Sequence, residues 1–360
     1  MPLTMDFRNI LITGGAGFVG ANLAVHLKRA FSDLQVTAVD NLKRRGSELN
    51  LSRLRDHGVD FVHGDIRTAE DIETWPEFDL LVDCAADPSV HAGASGSPAG
   101  VLANNLSGTV NCLEAARRQG AALLLLSTSR VYPIQAVNNL PFDETESRYV
   151  WRAVDGIPGF SSDGIAEEFP LHGARSFYGA SKLACELLLE EYAYNTGMPA
   201  LANRCGVLAG PWQMGKADQG VVTLWIARHM FSRPLRYIGF GGLGKQVRDV
   251  LHVSDLFELL VKQFRAASQW GGQVYNVGGG AQVSTSLREL SEVCSRVTGA
   301  KITVESAPET SHVDVRIYIS DARRAAREFD WRPQRPVEQI VGETHDWINR
   351  HRDALAPILG

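Results

Sequence analysis

An alternation running through the first half of the chain constrains its fold more than any other feature. Short apolar, β-branched runs end at regular intervals: "NILIT" at Thr13, "LQVTAVD" at Asp40, "VDFVHGD" at Asp65, then "FDLLVDCA" and "AALLLLSTS". Helix-patterned stretches lie between them, over 17–28 and 99–118 for example. Strands alternating with helices predict an α/β fold with a doubly wound parallel sheet. The runs lack polar alternation, as strands covered on both faces do. After about residue 205 the pattern loosens. Gly-rich turns at 239–244 and 278–282 separate helices expected over 254–267, 287–298 and 337–350. Residues 1–205 are expected to form the main domain and 206–360 mainly a smaller α/β lobe. The boundary is diffuse, and the chain is expected to cross between the lobes.

The first strand runs into a glycine turn, "ILITGGAGFVGANL", with Gly14, Gly17 and Gly20 spaced G-x-x-G-x-x-G. Such glycines let the backbone approach a pyrophosphate, and the helix that follows offers free N–H groups and a positive dipole end. Asp40 lies 20 residues after Gly20, at the end of the second run, where an acid can accept hydrogen bonds from an adenosine ribose. Strand, turn, helix and acid together predict a Rossmann-type dinucleotide site. Gly14, Gly17, Phe18, Val19, Gly20, Asp40 and Asn41 are the expected contacts. The acid repels a 2′-phosphate and favours NAD over NADP, although Lys43, Arg44 and Arg45 weaken that preference.

Composition narrows the partners. The chain has 360 residues, a formal net charge of −5 and a pI near 6.1, so no broad basic surface for nucleic acid is implied. The five cysteines, Cys84, Cys112, Cys185, Cys205 and Cys294, are widely spaced with no C-x-x-C. They suggest neither a disulfide framework nor a metal site, and they suit a reducing cytoplasm. The start "MPLTMDFRN" lacks an apolar signal core, and no apolar run approaches the ~18 residues a membrane span requires.

The stretch "FYGASK" places Tyr178 and Lys182 four positions apart, on one helical face. A nearby ammonium favours the phenolate form of a tyrosine, so the pair is a candidate general base. Tyr–Lys pairs are also common on surface helices, and the assignment leans on a second stretch. "LLLLSTSRVY" ends an apolar strand with Ser127, Thr128 and Ser129. The end of a parallel strand is where such sheets place ligands. A hydroxyl there can hold the reacting oxygen.

On these motifs, with "GDI" at 64–66, "NLSGT" at 105–109, "VY" at 131–132 and "YGASK" at 178–182, the sequence resembles the extended short-chain dehydrogenase/reductases, in the branch of sugar-nucleotide epimerases and dehydratases. The resemblance implies bound NAD and a catalytic Thr128, Tyr178 and Lys182, with Tyr178, Lys182 and Ser127 also near the cofactor. Asp65 and Ile66 should flank the adenine, Ala85 and Ala86 should line the cofactor, and Asn105 should help hold the site. It also implies a homodimer or homotetramer, with helix 99–118 and the Tyr178 helix at the interface.

Departures from the branch narrow the reaction. Dehydratases carry Asp-Glu after the threonine, and decarboxylases carry a glutamate where Arg130 stands; this chain has Ser129-Arg130. Redox epimerisation needs no such acid. The stretches at 40–54, 61–67, 144–149, 218–225, 275–280 and above all "GKQVRDVLH" at 244–252 resemble the CDP-paratose (CDP-tyvelose) 2-epimerases. That resemblance implies a CDP-linked hexose or deoxyhexose inverted at C2. Arg248 would lie on the diphosphate, and Arg130, Gln219 and Arg316 are further substrate candidates. The alternatives are a UDP-sugar 4-epimerase with the same machinery, or a non-catalytic NAD(P)-sensing protein. Asp83 stands where relatives have a histidine, Pro133 where they have a glycine, and "CAADPSVH" departs from their pocket sequence. His91 and His252 are read as structural histidines, and the Trp225 helix and "WQMGK" as packing elements.

Overall fold

The structure, a computed structural model, describes residues 6–93, 96–215 and 219–360. The opening residues 1–5, Lys216 of "WQMGK" and Asp218 of the 218–225 stretch fall outside the described residues. The chain divides into two compact units. The first comprises Met1–Thr128, Ser176–Arg204 and Leu256–Tyr275; the second comprises Ser129–Arg175, Cys205–Asp255 and Asn276–Gly360. A cut at residue 205 therefore marks one crossing among several. Residues 129–175 join the second unit because their short strands bond within it: Tyr149 N–H donates to the Lys245 carbonyl (3.0 Å) and Ile165 N–H to that of Ile319 (2.9 Å). Residues 256–275 join the first unit, where Phe264 and Trp270 pack against Phe7 and Phe257 stacks on His26.

In the first unit the sheet is built from β1 (Asn9–Thr13), β2 (Gln35–Asp40), β3 (Asp60–His63), β4 (Leu80–Asp83), β5 (Ala122–Thr128), β6 (Ala200–Cys205) and β7 (Gln273–Val277). Its order among the described residues is β7-β6-β5-β4-β1-β2-β3. The pairs β1/β2, β1/β4, β2/β3 and β4/β5 are parallel. The chain runs outward from β1 to β3, then returns past β1 to start β4. The order thus reverses between β1 and β4, and the crevice at the carboxyl ends of such a switch is where open α/β sheets bind ligands. Leu11, Leu81, Leu123 and Leu125 from the strands pack with Cys112, Leu113, Cys185 and Leu189 from two covering helices. Each fully buried leucine of this kind contributes about 1.5–3 kcal/mol.

Two helices carry the site. The stretch expected as one helix over 99–118 is Ala99–Leu102, a π-helical turn at Ala103–Ser107, and Gly108–Gln119, with helical backbone at both joins. Sequence periodicity does not register the wider turn, which sets Asn105 fully inside. Turns of this kind are frequent at functional sites. The second, Phe177–Thr196, carries Tyr178 and Lys182; it starts at Ser176, whose Oγ accepts the Gly179 N–H at 3.1 Å, and stops at Gly197 in the left-handed region (φ 70°). A serine N-cap and glycine C′ are the expected punctuation.

In the second unit, Val247–His252 pairs in parallel with Val207–Ala209 and Ile317–Tyr318 and antiparallel with Ser284–Ser286. The helices Val221–Met230, Leu287–Thr298 and Val337–Arg350 pack on one another. The last two match the expected ranges. The helix expected over 254–267 spans Val253–Phe264, and the His252 Nδ1 accepts the Ser254 N–H (3.0 Å) at its start, a structural role. Trp225 donates from Nε1 to Ser291 Oγ (2.9 Å), and Trp212 packs on Trp347, so these aromatics are packing elements.

Asp249 is the strained charge of this unit. Gly206 and Gly278 leave room for its carboxylate, which accepts the Ser320 and Gly280 N–H groups at 3.2 and 3.3 Å. Burial pushes its pKa up to about 6, with those hydrogen bonds pulling the other way. A raised acid pKa means the folded state prefers the protonated form. That stabilisation is present below the unfolded value near 4 and is lost as pH rises through the folded one, by about 3 kcal/mol in all. Thermal melts of wild type and Asp249→Asn from about pH 4 to pH 7 are expected to show wild type losing stability relative to the variant as pH rises.

Candidate active site

The glycine turn has the geometry a pyrophosphate requires. Gly14 sits at φ +61°, and a Cβ there would lie 2.9 Å from the Cys84 carbonyl oxygen and 3.0 Å from the Ala85 backbone. A Cβ on Gly20 would lie 2.3 Å from the Gly14 oxygen. Gly17 donates to that same oxygen at 2.9 Å and precedes the helix Phe18–Ala30, whose first turn holds half-buried Phe18 and Val19. Only bare backbone fits these positions. At the end of β2 the Asp40 carboxylate accepts the Ala16 N–H (3.1 Å) and the Leu42 N–H (2.8 Å), which set its direction. Burial raises its pKa, with those backbone bonds opposing.

The adenine-side candidates form a connected rim. Asn41 donates from Nδ2 to Asp65 Oδ2 (2.9 Å), and Arg67 holds the Asp65 carboxyl well below the usual range. Ile66 turns its side chain into the core beneath Gly108, so it offers a ligand its backbone alone. Ala85 and Ala86 are half-buried beyond β4. This cradle fits a dinucleotide. Gly20→Val is expected to abolish NAD binding measured by calorimetry, because the added atoms meet backbone that cannot yield.

Tyr178 and Lys182 lie one turn apart on the helix Phe177–Thr196, both buried, Lys182 with 1% of its surface exposed. Burial drives the ammonium toward losing its proton; Asp83 foremost, then Cys185, Tyr178 and Cys84, drive it back, and the balance is a raised pKa. Asn105 accepts the Asp87 N–H (2.7 Å) and donates to Ser181 Oγ (3.2 Å), which itself donates to the Tyr178 carbonyl (2.8 Å). Asn105 thus braces the helix at Tyr178.

Thr128 ends β5, and its neighbour Ser127 donates its hydroxyl to Glu186 Oε1. Glu186 lies one turn past Lys182 and accepts from Arg204 Nε (3.1 and 3.0 Å) and Nη2 (2.8 Å). All three residues are buried. The strand end bearing Thr128 is thereby locked to the helix bearing Tyr178 and Lys182. Glu186→Gln leaves the Arg204 charge uncompensated and is expected to cost ~3–5 kcal/mol in chemical denaturation.

In the second unit, Arg248 donates to Asp314 Oδ1 (2.9 Å) and to the Val315 and Val247 carbonyls (2.6 and 2.7 Å). Arg130 lies 3.9 Å from the same carboxylate oxygen. Burial pushes the Arg248 pKa down to about 10; Asp314 opposes this and Arg130 reinforces it. Two guanidiniums share the Asp314 carboxylate, and Asp249 acts on Arg248 in the same sense as Asp314. Arg316 is engaged differently. Its guanidinium lies 4.2 Å from the Phe142 ring centre, with Phe240 and Tyr149 at 5.3 and 5.7 Å. Gln219 is half-buried, and its Oε1 has no hydrogen-bond partner among the described residues. His91 is exposed.

Sequence reading missed Glu186, Arg204 and the orienting role of Asp314, and marked Asp83 only as a departure. Glu186 had a usable signal, its i+4 spacing from Lys182. Asp83 had another, a charge closing an apolar strand. The pairing of Arg204 with Glu186 arises only when β6 lies against β5.

Cradle, buried Tyr–Lys pair and strand-end hydroxyls define a nucleotide-dependent oxidoreductive site of the short-chain type. The chain belongs to the NAD dependent epimerase/dehydratase family, whose model matches residues 10–278. It is 30% identical to a CDP-paratose 2-epimerase from Salmonella typhi over 94% of this chain and 99% of that one. Among solved structures it resembles a UDP-glucose 4-epimerase from Thermotoga maritima (26% identity, TM-score 0.77, 96% and 100% covered). It also resembles a dTDP-glucose 4,6-dehydratase from Bacillus anthracis in complex with NAD (25%, 0.76, 98% and 99%). The protein is an NAD-dependent enzyme of sugar nucleotides. No helix among the described residues is long and apolar enough to cross a membrane.

Proposed function

We propose that the enzyme is an epimerase that inverts C2 of a CDP-linked hexose or deoxyhexose. One observation carries this reading: a buried Lys182 lies one turn from Tyr178, while Arg130 occupies the position where an eliminating enzyme of the branch needs an acid. The likeness to a CDP-paratose 2-epimerase supports the choice of nucleotide and carbon.

Tyr178, as phenolate, takes the proton of the substrate hydroxyl, and Lys182 stabilises that phenolate. Thr128 holds the reacting oxygen. NAD, when bound, would supply both the acceptor and the donor of the C2 hydrogen as hydride. Tyr178 would return the proton to the oxygen, so that inversion at C2 leaves no net oxidation. Gly14, Gly17, Gly20 and Asp40 hold the cofactor, with Asn41, Asp65, Ile66, Ala85, Ala86, Asn105 and Ser127 around it. Arg248 and Arg130 neutralise the diphosphate, for which a pair of guanidinium forks is suited. Gln219 and Arg316 are placed on the sugar nucleotide as well. The enzyme works in the cytoplasm as a homodimer or homotetramer. Exposed Leu187 and Tyr194, seven residues apart on the catalytic helix, support a partner there.

Proton NMR of the protein with NAD and a panel of CDP- and UDP-sugars tests the reading. The expected product is a CDP-sugar inverted at C2. Turnover of UDP-sugars alone, or inversion only at C4, overturns the nucleotide and the carbon and favours a 4-epimerase. Tyr178→Phe is expected to keep NAD and lose at least ~10²-fold in kcat; near-normal turnover would remove Tyr178 from its role.

A further inference from the structure

Ser127, Glu186 and Arg204 meet where the chain twice leaves the first unit. Thr128 is the last residue of that unit before one crossing, and Arg204 is the last before another. A strand that ends at such a crossing has no following residue of its own unit to hold it in place. Side chains hold the end of β6 instead. Asn203 and Gln263, both fully buried, exchange amide hydrogen bonds at 2.8 and 2.9 Å. Arg204 leaves the strand on the opposite face and sets Nε on both Glu186 oxygens (3.1 and 3.0 Å) and Nη2 on Oε2 (2.8 Å). At the end of β5, Ser127 donates its hydroxyl to Oε1 of the same carboxylate. Glu186 stands one turn past Lys182 and two past Tyr178 on the helix Phe177–Thr196. Ser127, Glu186 and Arg204 are each no more than 5% exposed.

We infer that Glu186 is a positioning residue for the reaction: its carboxylate carries the fixed end of β6 to Ser127 and thereby sets where Thr128 stands relative to Tyr178. The inference rests on the reading of Thr128 and Tyr178 as catalytic. That reading requires both side chains to reach one substrate oxygen, each within hydrogen-bond distance. They come from different elements, a strand end and a helix, so their separation depends on how the two elements are joined. Apolar packing specifies volume before it specifies geometry. Hydrogen bonds within an ion pair are short and directional. One carboxylate here takes four hydrogen bonds, three from Arg204 and one from Ser127. A displacement of about 1 Å at a reacting group can cost about 10²-fold in rate. Loss of the clamp is therefore expected in kcat and not in binding.

The test separates stability from geometry. The double variant Glu186→Leu/Arg204→Met removes both charges together, and replacing a buried ion pair by apolar side chains of similar size is often neutral or stabilising. It is assayed NAD-loaded, well below its melting temperature, on whichever sugar nucleotide of the CDP and UDP panel wild type turns over. Expected are a melting temperature and an NAD affinity close to those of wild type, KM within about threefold, and kcat lower by about 10- to 100-fold. A double variant with wild-type melting and wild-type kcat overturns the proposal, because packing has then fully replaced a pair that serves stability alone. An effect confined to KM overturns it as well. Ser127→Ala keeps the ion pair and releases only the strand end, and it carries the test should the double variant fail to fold. Its kcat is expected to fall severalfold with NAD affinity retained. An unchanged kcat, or a loss of NAD affinity in place of a loss in kcat, overturns the positioning role. Failure of the underlying reading shows elsewhere, as near-normal turnover by Tyr178→Phe with Ser127, Glu186 and Arg204 intact.

Discussion

Burying an ammonium is costly unless an anion or hydrogen bonds compensate, often by several kcal/mol. The first unit contains one such burial, that of Lys182. In the proposed reaction its charge is what makes a phenolate attainable at Tyr178. Burial lowers the pKa of that ammonium, and Asp83 foremost holds it up. Around it, the carboxyl ends of β1, β4 and β5 converge with the two helices that cover the sheet. The same dry core that holds Leu81, Leu123 and Leu189 holds the environment of the pair. Low polarity there makes every charge count for more than it would in water.

A second buried pair performs the mechanical part. Glu186 and Arg204 bind each other through three hydrogen bonds, and Ser127 adds its hydroxyl to the same carboxylate. Ion pairs of this kind contribute little net stability against apolar packing. Their geometry is directional, however, and it fixes the strand end beside Thr128 against the helix of Tyr178. The π-helical turn at Ala103–Ser107 works to the same end, holding Asn105 inside where it bonds both Asp87 and Ser181. In the second unit, Asp314 orients Arg248 and lies 3.9 Å from Arg130.

Much of the fold was legible because its signals are local. The five apolar runs from "NILIT" to "AALLLLSTS" became β1 to β5, and the helices at 287–298 and 337–350 kept their expected bounds. Gly14 and Gly20 were legible because their need for bare backbone is set by the turn itself. The helix over 99–118 was less so: a π turn differs from an α turn by one hydrogen-bond step, which side-chain periodicity does not record. The exchange of residues 129–175 and 256–275 between the units was not legible in detail, since it depends on which distant strand or ring each segment meets.

By itself the sequence determined the strand–turn–helix cradle, the acid at Asp40, the helical face shared by Tyr178 and Lys182, and the missing acid at Arg130. Each of these is a matter of spacing within a few residues or along one element. Only the tertiary structure decided that Arg204 would meet Glu186, and that Arg248 and Arg130 would share Asp314. Those partners are 18, 66 and 184 positions apart in the sequence. Whether two charges so separated meet, and how dry the place is where they meet, is settled by packing, which no local pattern encodes.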